Sequence, residues 1–522
     1  MHRVRFLLLI AFAIGPAPAQ TRTAIRVDTS QKLGPMKQVW GFFGYDEPNY
    51  TYTANGTKLI RELGALGPES VYIRTHFLLV TGDGKPALKW GSTNAYTEDA
   101  SGKPVYDWTV IDRIFDTYLE AGAKPFVEIG FMPEALSTHP EPYRHEWPKT
   151  NFTGWTYPPR NYDRWSELIY RWVEHCVQKY GAGEVQSWYW EVWNEPDIQY
   201  WHGTPEEYDK LYDYSVKAAK RALPSARVGG PATTGPGSER SSGFLRQFLQ
   251  HCDEIGVPVD FISFHAKGQP RVIDGHVRMG LEQELSNVRD GIEIVRSFPR
   301  FAELPIVLSE ADPEGCAACS AQQYPQNAYR NGPLYASYTA AVFDSILRVA
   351  EQSHANIAGM LTWAFEFENQ PYFAGFRDLA TNGIDKPILN LFRMLGMMQG
   401  ERVKTEDGLA IVNDHSVSVL VWNFQPDDVP GPNESVVLNV TTRSRRALLR
   451  HYRIDSDHSN AYSAWLKMGS PQSPTAEQYR YLERAGQLQM LESPEWVSAS
   501  EGRVETMFEL PRNAVSLVQF SW

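Results

Sequence analysis

Two glutamates stand out by their position. Glu195 closes the run WYWEVWNEPD (188–197), and Glu310 lies near the end of PIVLSEAD (305–312). Both runs are rich in β-branched and aromatic residues, the chemistry of a strand. Burying an ionised carboxylate without a partner is costly, so a strand that ends on one either pairs it or uses it. Two carboxyl groups facing one cavity can cleave a glycosidic bond. One protonates the leaving oxygen, and the other attacks the anomeric carbon or activates water. The protonated member needs a raised pKa, which an apolar surround and a neighbouring anion supply. Trp188, Trp190 and Trp193 flank Glu195 in the sequence and are expected to form part of that surround. Further acidic residues in such runs or just after them include Glu128, Glu191, Glu366 and Glu368. Alternation along a strand puts Tyr189, Glu191, Trp193 and Glu195 on one side. Glu191 is then deeper in the same wall and reads as structural.

The elements that must position these groups form a repeating pattern. Eight short apolar runs begin at residues 39, 71, 124, 188, 227, 261, 305 and 359. Helical stretches lie between them. WTVIDRIFDTYLEAG (108–122) has apolar residues at 108, 111, 114, 115, 118 and 119, the spacing of one helix face. Apolar strands alternating with helices indicate a parallel sheet, and eight such units are the count of a TIM barrel. The expected fold is therefore α/β, a (β/α)8 barrel over residues 39–396, whose chemistry belongs at the C-terminal ends of the strands. After residue 396 come short β-rich runs such as SVSVLVWNF (416–424) and AVSLVQFSW (514–522), separated by Pro, Asp, Gly and Asn. They predict a β-sandwich over 397–522, with a helical insertion near 474–488. Residues 20–38 are an N-terminal segment expected to add a strand to it.

Composition excludes some partners. The chain has 522 residues, 42% of them hydrophobic, and a net charge of -12. That balance argues against nucleic acid, which needs a basic surface. The 16 Trp and 26 Tyr suit flat apolar ligands such as sugar rings. The start, MHRVRFLLLIAFAIGPAPAQ, has two arginines, an apolar run and a small-residue cleavage site. Residues 1–19 read as a secretory signal peptide, so a secreted or periplasmic protein is expected. No apolar run is long enough for a membrane span. Cys316 and Cys319 form a C-x-x-C with no second one to complete a zinc site. In an exported chain a local disulfide is the better reading. No metal and no cofactor are expected. Motifs of other hydrolases, such as G-x-S-x-G and H-E-x-x-H, and the P-loop are missing. Five N-x-S/T sequons occur, at Asn49, Asn55, Asn151, Asn433 and Asn439; they matter in a eukaryotic host.

Several stretches together resemble family 39 glycoside hydrolases, the β-xylosidases and α-L-iduronidases of the retaining (β/α)8 clan. They are EIGFMPEAL (128–136), EVWNEPD (191–197), DFISFHAKG (260–268), VLSEAD (307–312), the long segment 361–396 and RIDSDHSNAYSAWLKMGSPQSPTAEQ (453–478). Asn-Glu-Pro alone is common to the clan; the ordered set is specific. The resemblance implies Glu195 as acid/base and Glu310 as nucleophile. It implies Asn194 on the 2-hydroxyl, Trp363 as a platform under the sugar, and His265, His76 and Glu368 as further sugar contacts. An oligosaccharide or glycoside is the expected partner. The lead activity is β-xylosidase-like. The alternatives are another retaining glycosidase of the clan, acting on an arabinosyl, glucosyl or uronic-acid substrate or in endo mode, and a non-catalytic carbohydrate-binding protein. Two departures from the family's pattern bear on the substrate. The CAAC segment follows the nucleophile, and Ala-Lys-Gly stands after His265 where Ala-Tyr is more usual.

Overall fold

The computed structural model describes residues 22–148 and 152–522. The signal-peptide reading and the Asn151 sequon fall outside those residues. Eight parallel strands close into a barrel: β1 (Phe42–Tyr45), β2 (Tyr72–Thr75), β3 (Lys124–Ile129), β4 (Tyr189–Val192), β5 (Arg227–Thr233), β6 (Phe261–Lys267), β7 (Ile306–Asp312) and β8 (Ile357–Trp363). Each is followed by a helix before the next strand begins or, after β8, by Pro387–Gly396. This is the (β/α)8 barrel expected from the eight runs.

The helices form for visible reasons. Asn161 caps Tyr162–Tyr180 by accepting from the Arg164 amide, and the helix buries Trp165, Leu168, Ile169, Trp172, Val173 and Cys176. Their spacing of three and four makes one apolar stripe. Thr204 and Glu207 make a reciprocal capping box on Pro205–Ala222, satisfying amides the helix itself cannot. The stripes meet the outer face of the sheet. Trp172 packs edge-on to Trp190 with ring centroids 5.5 Å apart, and Trp188 meets Phe115.

Inside the barrel, alternation stacks side chains in layers. The lowest is aromatic: Phe42, Tyr72, Phe126, Tyr189 and Phe261 touch one another in stacked and edge-on pairs. Two residues further along the same strands the layer turns ionic, with Arg74, Glu128 and Glu191 fully buried. The next step up reaches the barrel mouth.

The C-terminal strands form two sheets. One has seven strands in its main order, including Ser416–Trp422, Val515–Ser521 and Arg446–Ile454. The other has three, Arg22–Val27, Glu434–Thr441 and Arg503–Leu510. Their facing sides share a core of Ile25, Val419, Val436, Leu438, Val518 and Phe520. The N-terminal segment thus contributes twice: Arg22–Val27 runs parallel to Glu434–Thr441, and Lys32–Pro35 pairs with Glu401–Val403. Two helices interrupt these sheets, Ala461–Lys467 and Ala476–Gly486. They pack Trp465 and Leu482 with Phe373 and Ile384 from the loop after β8, and so brace one wall of the barrel mouth. Among the described residues no helix is long and apolar enough to cross a membrane. Asn49 of the first sequon is buried, its amide donating to Tyr52 and to the Ser92 carbonyl, so it has no room for a glycan in this fold.

Gly44 on β1 admits the Trp363 ring. A β-carbon there would land against the six-membered part of the indole, and 3.0 Å from the Arg74 carbonyl oxygen. Neither neighbour is a flexible chain end. Gly44→Ala is expected to lower stability by about 1–3 kcal/mol, as overpacking does. Urea unfolding followed by tryptophan fluorescence checks it.

Candidate active site

The barrel mouth collects a cluster of carboxylates and cations, with Arg74 on β2 at its base. Its guanidinium is fully buried. Nε donates to Glu191 at 2.6 Å, and Nη2 donates to the Asn194 side-chain oxygen at 2.9 Å. Glu128 lies 3.1 Å and Glu310 3.4 Å away. A planar fork with fixed donor directions holds several acceptors at set angles. Glu191 is therefore structural, as its depth in the strand implied. Burial pushes the Glu128 carboxyl well above its usual range, and Glu191 and Glu310 add to this against the pull of Arg74.

Glu310, on β7, is almost fully buried. Burial alone would raise its pKa. Its neighbours His265, Lys267, Arg74 and His76 outweigh burial and hold it well below the usual carboxylate range. Lys267 is the closest, with Nζ 2.6 Å from Glu310, and it also bonds Asp312. Asp312 is fixed in turn by Arg377 at 3.4 Å and by accepting from the Trp363 amide at 2.9 Å.

Glu195 follows β4 by an irregular route. Trp193 has φ 70° and Glu195 φ 45°, left-handed values that bulky residues seldom adopt. Three hydrogen bonds hold the turn: the Trp193 amide to Ile129, the Trp193 indole to Tyr200, and the Glu195 amide to Ala232. The expected alternation therefore stops at Glu191. The expected surround of Glu195 is also corrected. Trp188 and Trp190 face the outer helices, and Trp193 turns to Phe131 and Trp201. The polar partner of Glu195 is His265 Nδ1, 2.9 Å from its Oε1. The same nitrogen is 3.8 Å from Glu310 Oε2. The two carboxyl groups thus face each other across one imidazole nitrogen. His265 itself is fully buried at a register shift in β6.

The remaining expected residues divide. Asn194 is in the cluster, and its Nδ2 is a buried donor without a protein partner among the described residues. Trp363 lies beneath the cluster, its ring 4.2 Å from His76 and 5.1 Å from the Arg74 guanidinium, its indole nitrogen 3.3 Å from Asp46. His76 is present, but both ring nitrogens face protein groups. Nδ1 meets Asp46 at 2.9 Å, and Nε2 faces Arg74 and Glu128, each at 3.2 Å. It builds the floor. Glu368 stands in a half-buried turn after β8, and among the described residues it makes no hydrogen bond or ion pair with the cluster.

Sequence reasoning missed Arg74, Asp46, Lys89 and Arg377, and noted Lys267 only as a departure. Arg74 was findable: it sits two residues before His76, one step deeper on the same strand face. Lys89 reaches Asp46 at 2.7 Å from a loop, which no local pattern announces. The C-x-x-C is a disulfide, Cys316–Cys319. Among the described residues no group of His, Cys, Asp and Glu is arranged to hold a metal ion.

Removing Arg74 would strand three buried acids. Arg74→Met is expected to destabilise the fold by about 3–5 kcal/mol, the cost of breaking a buried ion pair from one side. Chemical denaturation at neutral pH measures it.

Comparisons with known proteins identify the family. The family profile described as "Glycosyl hydrolases family 39" matches residues 23–503. A Geobacillus stearothermophilus "Beta-xylosidase" is 30% identical over 441 residues, covering 81% of this chain and 82% of the relative. An "Alpha-L-iduronidase" of Mus musculus is 24% identical over 544 residues, covering 93% of this chain and 78% of the relative. Among solved structures, the monomeric β-xylosidase of Caulobacter crescentus CB15 superposes with TM-score 0.81 at 25% identity, covering 96% of this chain and 99% of that one. The chain belongs to glycosyl hydrolase family 39.

Proposed function

We propose that this glycosidase cleaves terminal glycosidic bonds with retention of configuration, and that its lead activity is β-xylosidase-like. The observation that carries the mechanism is the single His265 nitrogen lying between the Glu195 and Glu310 carboxyl groups. Both carboxyl groups then address one sugar. Glu310, held ionised by its cationic neighbours, is the nucleophile. Glu195, on the more open side of the pair, is the acid that protonates the leaving oxygen and later the base that activates water. A retaining pair stands about 5–5.5 Å apart. Asn194 offers its unpartnered Nδ2 to the 2-hydroxyl, a contact that strengthens in the transition state. Trp363 lies under the sugar. The similarity to β-xylosidases at about 30% identity supports xylose as the glycone.

One observation favours a second reading, an acidic sugar. Lys267 places a cation beside the nucleophile, in the same groove wall as Glu195. A uronic-acid carboxylate could use that charge, and the similarity to α-L-iduronidases spans most of the chain. A panel of aryl glycosides decides. Release of xylose from a β-xyloside supports the lead, and release only of uronic acid replaces it.

Two predictions test the mechanism. Glu310→Ala should lose essentially all turnover. Glu195→Ala should slow glycosides with poor leaving groups far more than activated aryl ones, and added azide should restore part of its rate with a retained glycosyl azide product. Proton NMR of the first sugar released by the wild type reads the outcome directly; inversion refutes Glu310 as nucleophile.

The pH profile tests the role of Lys267. Glu310 has a depressed pKa, so its ionised form persists as pH falls, down to that depressed value. Removing one of the cations that depresses it must raise that value. In Lys267→Met the acid limb of kcat/KM is expected to move to higher pH.

We also infer export, from the leader-like residues 1–19. The Cys316–Cys319 disulfide supports it, since disulfides persist in oxidising compartments. N-terminal sequencing of protein from culture medium or periplasm should begin just after Ala19.

A further inference from the structure

A groove of about 730 Å³ opens beside the catalytic pair, with Glu195 and Lys267 in its wall. It continues past the segment after β5, past Gly268–Pro270 and the start of the helix Leu281–Arg296, and ends against residues 314–327. In the reading above, Glu195 protonates the leaving oxygen. A groove extending from that acid is therefore on the leaving-group side. Its volume is in the range that holds a multi-ring ligand, more than one pyranose needs.

Several lining side chains carry hydrogen-bonding groups, among them Thr234, Arg240, Gln269, Asn287 and Gln326. The aromatic residue of this lining is Tyr324, which is 44% exposed. An exposed aromatic ring in such a groove gives a sugar a flat apolar face to lie on. The backbone that carries the ring is tied down by hydrogen bonds. The Tyr324 amide donates to Ser320 at 2.9 Å, and its carbonyl accepts from the Asn327 amide at 2.9 Å. The Asn327 side chain and buried Arg330 both donate to the Cys319 carbonyl at 2.9 Å. Arg330 also binds the Cys316 carbonyl at 2.8 Å and Glu314 at 2.6 Å. The disulfide closes the same turn. Arg377 ties it to the catalytic floor, reaching Glu314 at 2.8 Å and the Trp363 carbonyl at 2.9 Å. A platform fixed relative to the reacting groups is what selection of a leaving group requires.

We propose that the disulfide-closed segment 314–327 is the leaving-group wall of the cleft, and that Tyr324 is the platform on which the first sugar of a saccharide leaving group stacks. Tyr324 is then a specificity-determining residue. The proposal rests on the glycosidase reading above and deepens it.

The test measures kcat/KM for xylobiose and for β-D-xylosyl fluoride, whose leaving group is too small to reach Tyr324. The ratio of the two is expected to fall about 5- to 10-fold in Tyr324→Ala, the size of one aromatic stacking contact. It should return close to the wild-type value in Tyr324→Phe, which keeps the ring. An unmoved ratio in Tyr324→Ala overturns the proposal, whether or not both rates drop together. A wild type that hydrolyses neither substrate refutes the xylosidase reading instead. The ratio is then taken with the disaccharide and fluoride of the sugar the aryl panel identifies, and the same two outcomes decide.

Discussion

The Arg74 guanidinium is shut off from water and surrounded by acids that would repel one another without it. Glu191 and Asn194 take its hydrogen bonds, and Glu128 and Glu310 lie within ion-pair reach. Its charge is permanent, so this layer of the barrel never titrates through loss of the cation. The orientation of Asn194 follows from it, and it adds to the pull of His265 and Lys267 that holds the Glu310 carboxyl low. Lys267 and Arg377 repeat the device one step nearer the solvent, around Asp312. The site is thus built outward, aromatic layer first, then guanidinium, then the Glu195 and Glu310 carboxyl groups.

That order explains where the backbone is distorted. β4 is regular through Glu191 and then turns at Trp193 and Glu195 through left-handed values. Straight continuation would leave Glu195 on the alternating face set by Glu191, against the barrel wall. The turn delivers Asn194 to Arg74 and Glu195 to His265 within two residues. Left-handed conformations of bulky residues cost roughly 1–3 kcal/mol each and persist where surrounding contacts fix them. Here those contacts are the amide bonds to Ile129 and Ala232.

Much of this was legible before any coordinates. The eight runs announced the barrel because strands buried on both faces are apolar throughout. The meeting of Glu195 and Glu310 at the barrel mouth was legible because carboxylates at strand ends violate that pattern. The tryptophans misled. Trp188, Trp190 and Trp193 are adjacent to Glu195 in the chain, yet alternation and the turn send their rings elsewhere. Lys89 and Arg377 could not be read at all, since loops bring them to Asp46 and Asp312 with no periodic signature. Glu368 failed for the same reason: a turn sets its direction, and no strand period reports on a turn.

The pairing of the chain's first described strand with a late one has a consequence for biogenesis. Thr29 hydrogen-bonds Thr441 across 412 residues of sequence. Arg22–Val27 is therefore synthesised long before Glu434–Thr441 exists, and its edge waits unpaired while the whole barrel emerges. Arg503–Leu510, which completes that sheet, comes later still. Nearly the entire polypeptide must be present before the three-stranded sheet can assemble. A ribosome or an export channel still gripping the last strands holds that sheet open, which keeps the accessory unit incomplete until release.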